Sequence, residues 1–181
     1  ATGWFTQALS QTGEVIGLDL SERAIETARD RYPNLNFVAG NLFDVPFEKE
    51  MFDVVVTQEV IAHVEDQPRF LERILYVLKP GGYMVITSAN KVVMDRVDSS
   101  DDPKEHIKKW LSIKDMKKII TPYFNILCLT TIIPIGDRGY LRLINSHKLN
   151  TIIGYFIHAK YLEYLKEKAG LGYSIIILAK K

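Results

Sequence analysis

The sequence holds one cysteine, two tryptophans and a surplus of only one positive charge in 181 residues. A single thiol cannot close an internal disulfide, so packing and hydrogen bonds must hold the fold. Cys128 sits in the apolar run Ile126–Leu129 with no His or Asp close by in sequence. It therefore reads as a small buried hydrophobe rather than a nucleophile. A reducing, cytoplasmic compartment is compatible with so little cysteine. A formal net charge of +1 gives no global electrostatic pull toward nucleic acid. No run approaches the roughly 20 apolar residues that span a bilayer, and the longest candidate, 126–135, is broken by Thr130, Thr131 and Pro134. The start, Ala1-Thr2-Gly3-Trp4-Phe5, has neither the basic region nor the apolar stretch of a secretory signal. His, Cys and carboxylates nowhere cluster with metal-ligand spacing, so no metal is expected.

What is present alternates between two textures. Short apolar runs recur at Val15–Leu20, Asn36–Ala39, Phe52–Thr57, Tyr83–Thr87, Asn125–Thr130 and Tyr173–Ala179. Several are rich in β-branched residues and lack strict polar alternation, the pattern of strands buried on both faces. Helical patterns lie between them. Ser21 is placed to cap a helix through Tyr32 with Ala24, Ile25 and Ala28 on one face. Pro68 opens a second helix with the stripe Phe70, Leu71, Ile74, Leu75 and Leu78. Ser112 followed by Asp115 suggests a third, capped helix through about Ile120. Such alternation predicts an α/β, doubly wound, mainly parallel sheet. Residues 132–171 break the rhythm and are too long for a plain loop. Their helix-spaced apolar residues predict two or three short helices capping the strand ends, inserted before the last strand. The whole chain, 1–181, reads as a single domain.

In a doubly wound sheet the ligand site lies beyond the carboxyl ends of the strands, and candidate residues fall there. Asp19 closes the first run, where a carboxylate can accept hydrogen bonds from both hydroxyls of a ribose. It can equally cap the next helix. Asn41 follows the second run and offers an amide suited to an adenine edge, with Leu42 adding a backbone N–H and apolar contact. An Asx turn explains Asn41 as well. Asp53 opens the third run and is expected to make turn contacts. Gln58 and Glu59 end that run. Leu78-Lys79-Pro80-Gly81-Gly82 reads as turn chemistry between a helix and a strand.

Taken together, Asp19 ending one strand, Asn41 about twenty residues on, Phe52-Asp53-Val54-Val55, His63-Val64 and Leu78-Lys79-Pro80-Gly81-Gly82 resemble the class I S-adenosylmethionine-dependent methyltransferases. The likeness is to their small-molecule branch, which includes ubiquinone-biosynthesis enzymes, and covers about 1–118. Tyr173–Lys181 looks like that family's last, antiparallel strand. The resemblance implies a Rossmann-like fold with S-adenosyl-L-methionine as cofactor. Ala1, Thr2 and Gly3 would be the end of the family's glycine-rich loop, so its first strand and first glycine are absent and the domain is N-terminally incomplete. Asp19 would take the ribose and Leu20 would flank the adenine. Asn41, in place of the family's more frequent Asp, and Leu42 would recognise the adenine edge. Gln58 would approach the methionine portion or the acceptor.

Methyl transfer needs the acceptor oriented and desolvated more than it needs a base. His63 is the candidate base, against a role packing within its turn. His106 and Trp110 are candidate acceptor contacts. Residues 138–181 carry more Lys and Arg than Asp and Glu, interleaved with tyrosine and phenylalanine. That texture suits a small-molecule acceptor of anionic or apolar character, an interfacial surface, or a plain solvated face. It holds no motif for specific nucleic-acid recognition. Two other readings stay open: a nicotinamide-dependent oxidoreductase, since Asp19 would serve that ribose too, and a methyltransferase-like binding domain without catalysis.

Overall fold

The computed structural model describes residues 2–96, 109–136 and 138–181. The chain divides into two compact units, residues 1–47 and 48–181.

The first unit is built from helix α1 (Trp4–Leu9), strand β1 (Ile16–Asp19), helix α2 (Glu22–Arg31) and strand β2 (Asn36–Ala39). β1 and β2 pair in parallel, Ile16 opposite Asn36 through Asp19 opposite Ala39. The crossover helix α2 starts where its sequence says it should, because the Ser21 hydroxyl accepts the Ala24 N–H at 3.2 Å. Its inward residues Ile25 and Ala28 are buried with Phe37 of β2, and Tyr32, Leu35 and Ala39 pack around them.

The second unit centres on a four-stranded sheet of order β3-β4-β6-β5. These are β3 (Phe52–Gln58), β4 (Leu78–Ala89), β5 (Asn125–Pro134) and β6 (Gly172–Lys180). β3 and β4 are parallel. β6 runs antiparallel to both β4 and β5. Helix α3 (Gln67–Val77) is capped by Asp66. A short helix α4 (Lys91–Met94) follows β4, and α5 (Ile113–Ile120) opens on a complete Ser112–Asp115 capping box. The core gathers Phe70, Leu71, Ile74 and Val77 of α3, Met84 and Ile86 of β4, Met116 and Ile120 of α5, and Ile175 and Ile177 of β6. Three helices, α6 (Gly139–Ile144), α7 (His147–Gly154) and α8 (Ala159–Lys168), occupy the region expected to form a cap. Its first three residues, 132–134, instead finish β5.

Three local expectations need correction. The strands of this sheet are not buried on both faces: along β4, Met84, Ile86 and Ser88 are buried while their neighbours Tyr83, Val85 and Thr87 are partly or well exposed. Residues 79–82 are not a free turn but a bulge in a strand that starts at Leu78. Phe52 pairs with Leu78 and Val54 with Tyr83, so two residues of β3 oppose five of β4. Asp53 braces that bulge, its carboxylate taking both hydrogen bonds from Lys79 Nζ at 2.8 and 2.9 Å. Finally, Cys128 is exposed. β5 is the outer strand, and its register slips between Ile126 and Cys128. The extra residue, Leu127, shifts the alternation and turns the thiol outward.

Candidate active site

Parallel pairing brings the two leading candidates together. Asp19 and Ala39 are opposite each other at the ends of β1 and β2, strands about 4.8 Å apart. The Gly40 N–H then donates to the Asp19 carbonyl at 2.9 Å, so Asn41 emerges beside Asp19. Both side chains also hold their own turns. Asp19 Oδ1 accepts the Ser21 N–H at 2.9 Å, and Asn41 Oδ1 accepts the Phe43 N–H at 3.1 Å. The plainer structural readings of both residues are thus realised. Neither turn contact alone fills its group, since a carboxylate offers about four lone-pair directions and an amide nitrogen two further donors. Leu20 is strongly exposed and Leu42 half-buried beside them. A carboxylate, an amide and two apolar side chains at one strand end form a donor set that fits a nucleoside.

Gly3 heads α1 at φ 79°, a left-handed conformation that favours glycine. A Cβ there would sit 2.9 Å from the Ala28 Cβ and 3.0 Å from the rings of Tyr32 and Phe37. Close packing of α1 onto α2 and β2 therefore explains this glycine. Thr2 is exposed, and Ala1 lies outside the described residues.

In the second unit Gln58 is the exposed last residue of β3. Glu59, next to it, takes φ 57°, a conformation costing a non-glycine residue roughly 1–2 kcal/mol. Its N–H donates to the Thr87 carbonyl and hydroxyl at 3.2 and 3.1 Å. Its Oε1 accepts the hydroxyls of Thr87 and Ser174 at 3.0 and 3.1 Å. Three strands are thereby tied at the carboxyl end of β3 and β4. His63 ends a single 3₁₀ turn, Ile61–His63, and is exposed. Gln67, at the head of α3, donates to the carbonyls of Ile61 and Lys109 at 3.1 Å each. The Lys109 N–H in turn reaches the Ala62 carbonyl at 2.8 Å. Half-buried Trp110 is thus joined to the segment that carries His63. His106 lies outside the described residues. Among the described residues no group of His, Cys, Asp and Glu could hold a metal ion.

A family model described as a methyltransferase domain matches residues 1–86. A probable S-adenosylmethionine-dependent methyltransferase of Mycolicibacterium smegmatis is 38% identical over 78 residues, 43% of this chain and 30% of that protein. The ubiquinone/menaquinone biosynthesis C-methyltransferase UbiE of Haemophilus ducreyi is 30% identical over 99 residues, 51% of this chain and 38% of that protein. The crystal structure of an S-adenosylmethionine-dependent methyltransferase from Mesorhizobium loti matches 99% of this chain and 87% of its own at TM-score 0.69 and 18% identity. The fold is that of the class I methyltransferases. The cyclase SpnF shares it, with TM-score 0.67, 18% identity, and coverage of 99% of this chain and 72% of that one. Matches to the curated relatives span only about a third of their length.

Two features of this chain were not legible as site features. Glu59 stands where a strand ends, but its left-handed backbone and shared hydroxyls depend on Thr87 and Ser174, far away in sequence. Asn90, fully buried after β4, donates to the carbonyls of Gly170 and Gly172 at 3.0 Å each and accepts the Val92 N–H at 3.2 Å. It pins the end of β4 to the start of β6. Between the cap helices lies a cavity of about 250 Å³ lined by Pro134, Asn150, Ala159, Leu162, Glu163 and Lys166. Lys166 Nζ donates there to the side-chain carbonyls of Asn145 and Asn150 at 3.3 and 3.1 Å. Burial lowers its pKa.

Proposed function

We propose that this chain is the catalytic domain of a methyltransferase that moves a methyl group from S-adenosyl-L-methionine to a small-molecule acceptor. One observation carries the reading: Asp19 and Asn41 stand side by side at one strand end, inside the segment that matches a methyltransferase domain. Asp19 binds the ribose hydroxyls, Leu20 flanks the adenine, and Asn41 with Leu42 meets the adenine edge. The backbone of Ala1 to Gly3 borders the methionine part, and Gln58 approaches it or the acceptor. When bound, the cofactor supplies an electrophilic sulfonium methyl. The chain's own residues then position the acceptor for in-line attack and exclude water, work that can contribute roughly 7–11 kcal/mol. His63 takes the acceptor's proton where its pKa requires a base, and His106 and Trp110 contact the acceptor. The relatives with quinone-biosynthesis names favour an apolar ring acceptor, and the cytoplasm is the compartment we assign. Residues 1–181 act as one domain, with 132–171 as the cap that selects the acceptor.

The test incubates the full chain and its Asp19→Ala variant with methyl-labelled S-adenosylmethionine and a panel of quinols, phenols and carboxylic acids. Label should appear in at least one acceptor with the parent chain and fall at sub-saturating cofactor with the variant. No binding of the cofactor at millimolar concentration would overturn the reading.

A further inference from the structure

We propose that helices α6–α8, with the loop joining α7 and α8, form a docking surface for an anionic lipid membrane. The inference is independent of methyl transfer. Single exposed hydrophobes are ordinary on a protein surface, whereas a contiguous group is not. Here eight large apolar side chains on this short stretch are exposed, the most open being Phe156 by 86%, Tyr155 by 83%, Leu143 by 66%, Ile152 by 59% and Tyr161 by 56%. The two most exposed are adjacent, at the tip of the loop between α7 and α8. Tyrosine at such a tip suits the headgroup boundary, where its ring is apolar and its hydroxyl wet, while Phe156 and Ile152 suit the acyl layer just below.

Charge identifies the occupant. The three helices hold five basic residues against two acidic ones, in a chain whose total is only +1. Lys148 lies one helical turn before Ile152, and Lys160 lies four residues after Phe156, so cations flank the tip on both sides. Among the described residues neither lysine makes an ion pair. Long lysine stems can lie along an apolar layer while their ammonium groups reach phosphate. A second copy of this chain is a poor match, because a two-fold interface would set the same excess of positive charge against itself. No helix among the described residues is long and apolar enough to cross a membrane, so contact of this kind lies in the interfacial plane.

The test is co-sedimentation of the full chain with vesicles of phosphatidylcholine alone and of phosphatidylcholine mixed with phosphatidylglycerol. Binding should require the anionic lipid and weaken as salt is raised. Tyr155→Ser with Phe156→Ser should lower the partition coefficient at least about tenfold, from loss of apolar burial. Lys148→Glu with Lys160→Glu should lower it at least about twentyfold, at about fivefold for each near-surface charge. All four residues are exposed, so cooperative unfolding of both variants should match the parent. Failure to sediment with either vesicle overturns the proposal, as does equal binding to both. A concentration-dependent dimer, or a complex with single-stranded nucleic acid, that the aromatic pair supports without vesicle binding would overturn it too.

Discussion

Replacing Asp19 by asparagine and by alanine separates two jobs that one carboxylate performs. One Asp19 oxygen accepts the Ser21 N–H at 2.9 Å, a turn contact that feeds the capped start of α2. The same carboxylate is the group proposed to take a ribose diol. Asparagine keeps the turn acceptor and removes the charge, whereas alanine removes both. Loss of one exposed turn bond costs about 0.5–1.5 kcal/mol of stability, so Asp19→Ala should lower the urea midpoint and Asp19→Asn should leave it nearly unchanged. Hydrogen bonds to a charged group contribute about 1.5–3 kcal/mol, so both variants should weaken S-adenosylhomocysteine by roughly ten- to 150-fold in titration calorimetry. The Asn variant is the decisive arm. If it binds with parental affinity while the Ala variant weakens only in step with lost stability, Asp19 is a turn residue and the cofactor assignment loses its anchor.

The remaining predictions concern separate parts of the chain. A carboxylate of ordinary pKa is ionised above about pH 5. Cofactor affinity should be flat from pH 8 down to about 5, and a loss centred near pH 6.5 would point to a histidine instead. Asn90→Ala strands one buried and one half-buried carbonyl and should cost about 1–3 kcal/mol in urea unfolding, while a cost under about 0.5 kcal/mol would show the pin between β4 and β6 to be dispensable. Ser112→Ala dismantles the capping box of α5 and should cost about 1 kcal/mol, again read from the urea midpoint. Glu59→Gln keeps an acceptor for Thr87 and Ser174 and should be nearly neutral, whereas Glu59→Ala should cost about 1–2 kcal/mol. Equal losses would show that charge, not hydrogen bonding, matters there.

Much of this architecture is legible because it is local. Ser21 and Ser112 mark two helix starts, and short apolar runs mark all six strands, since capping and strand preference act over a few residues. The nearness of Asp19 and Asn41 follows from two parallel strands joined by one crossover helix. What escapes sequence reading depends on pairing between distant segments. The bulge at Leu127 that exposes Cys128 exists only in register with β6. The continuation of β5 to Pro134 depends on Gly172, whose N–H donates to the Thr131 hydroxyl at 3.0 Å. The left-handed turn at Glu59 and the Asn90 pin likewise need partners about 30 to 115 residues away.

The most direct measurement is calorimetric titration of the full chain with S-adenosylhomocysteine and, in parallel, with NAD. Saturable one-to-one binding of the homocysteine compound, weakened by Asp19→Asn, is expected, with no heat from NAD. Saturable NAD binding with no response to S-adenosylhomocysteine would contradict the cofactor assignment.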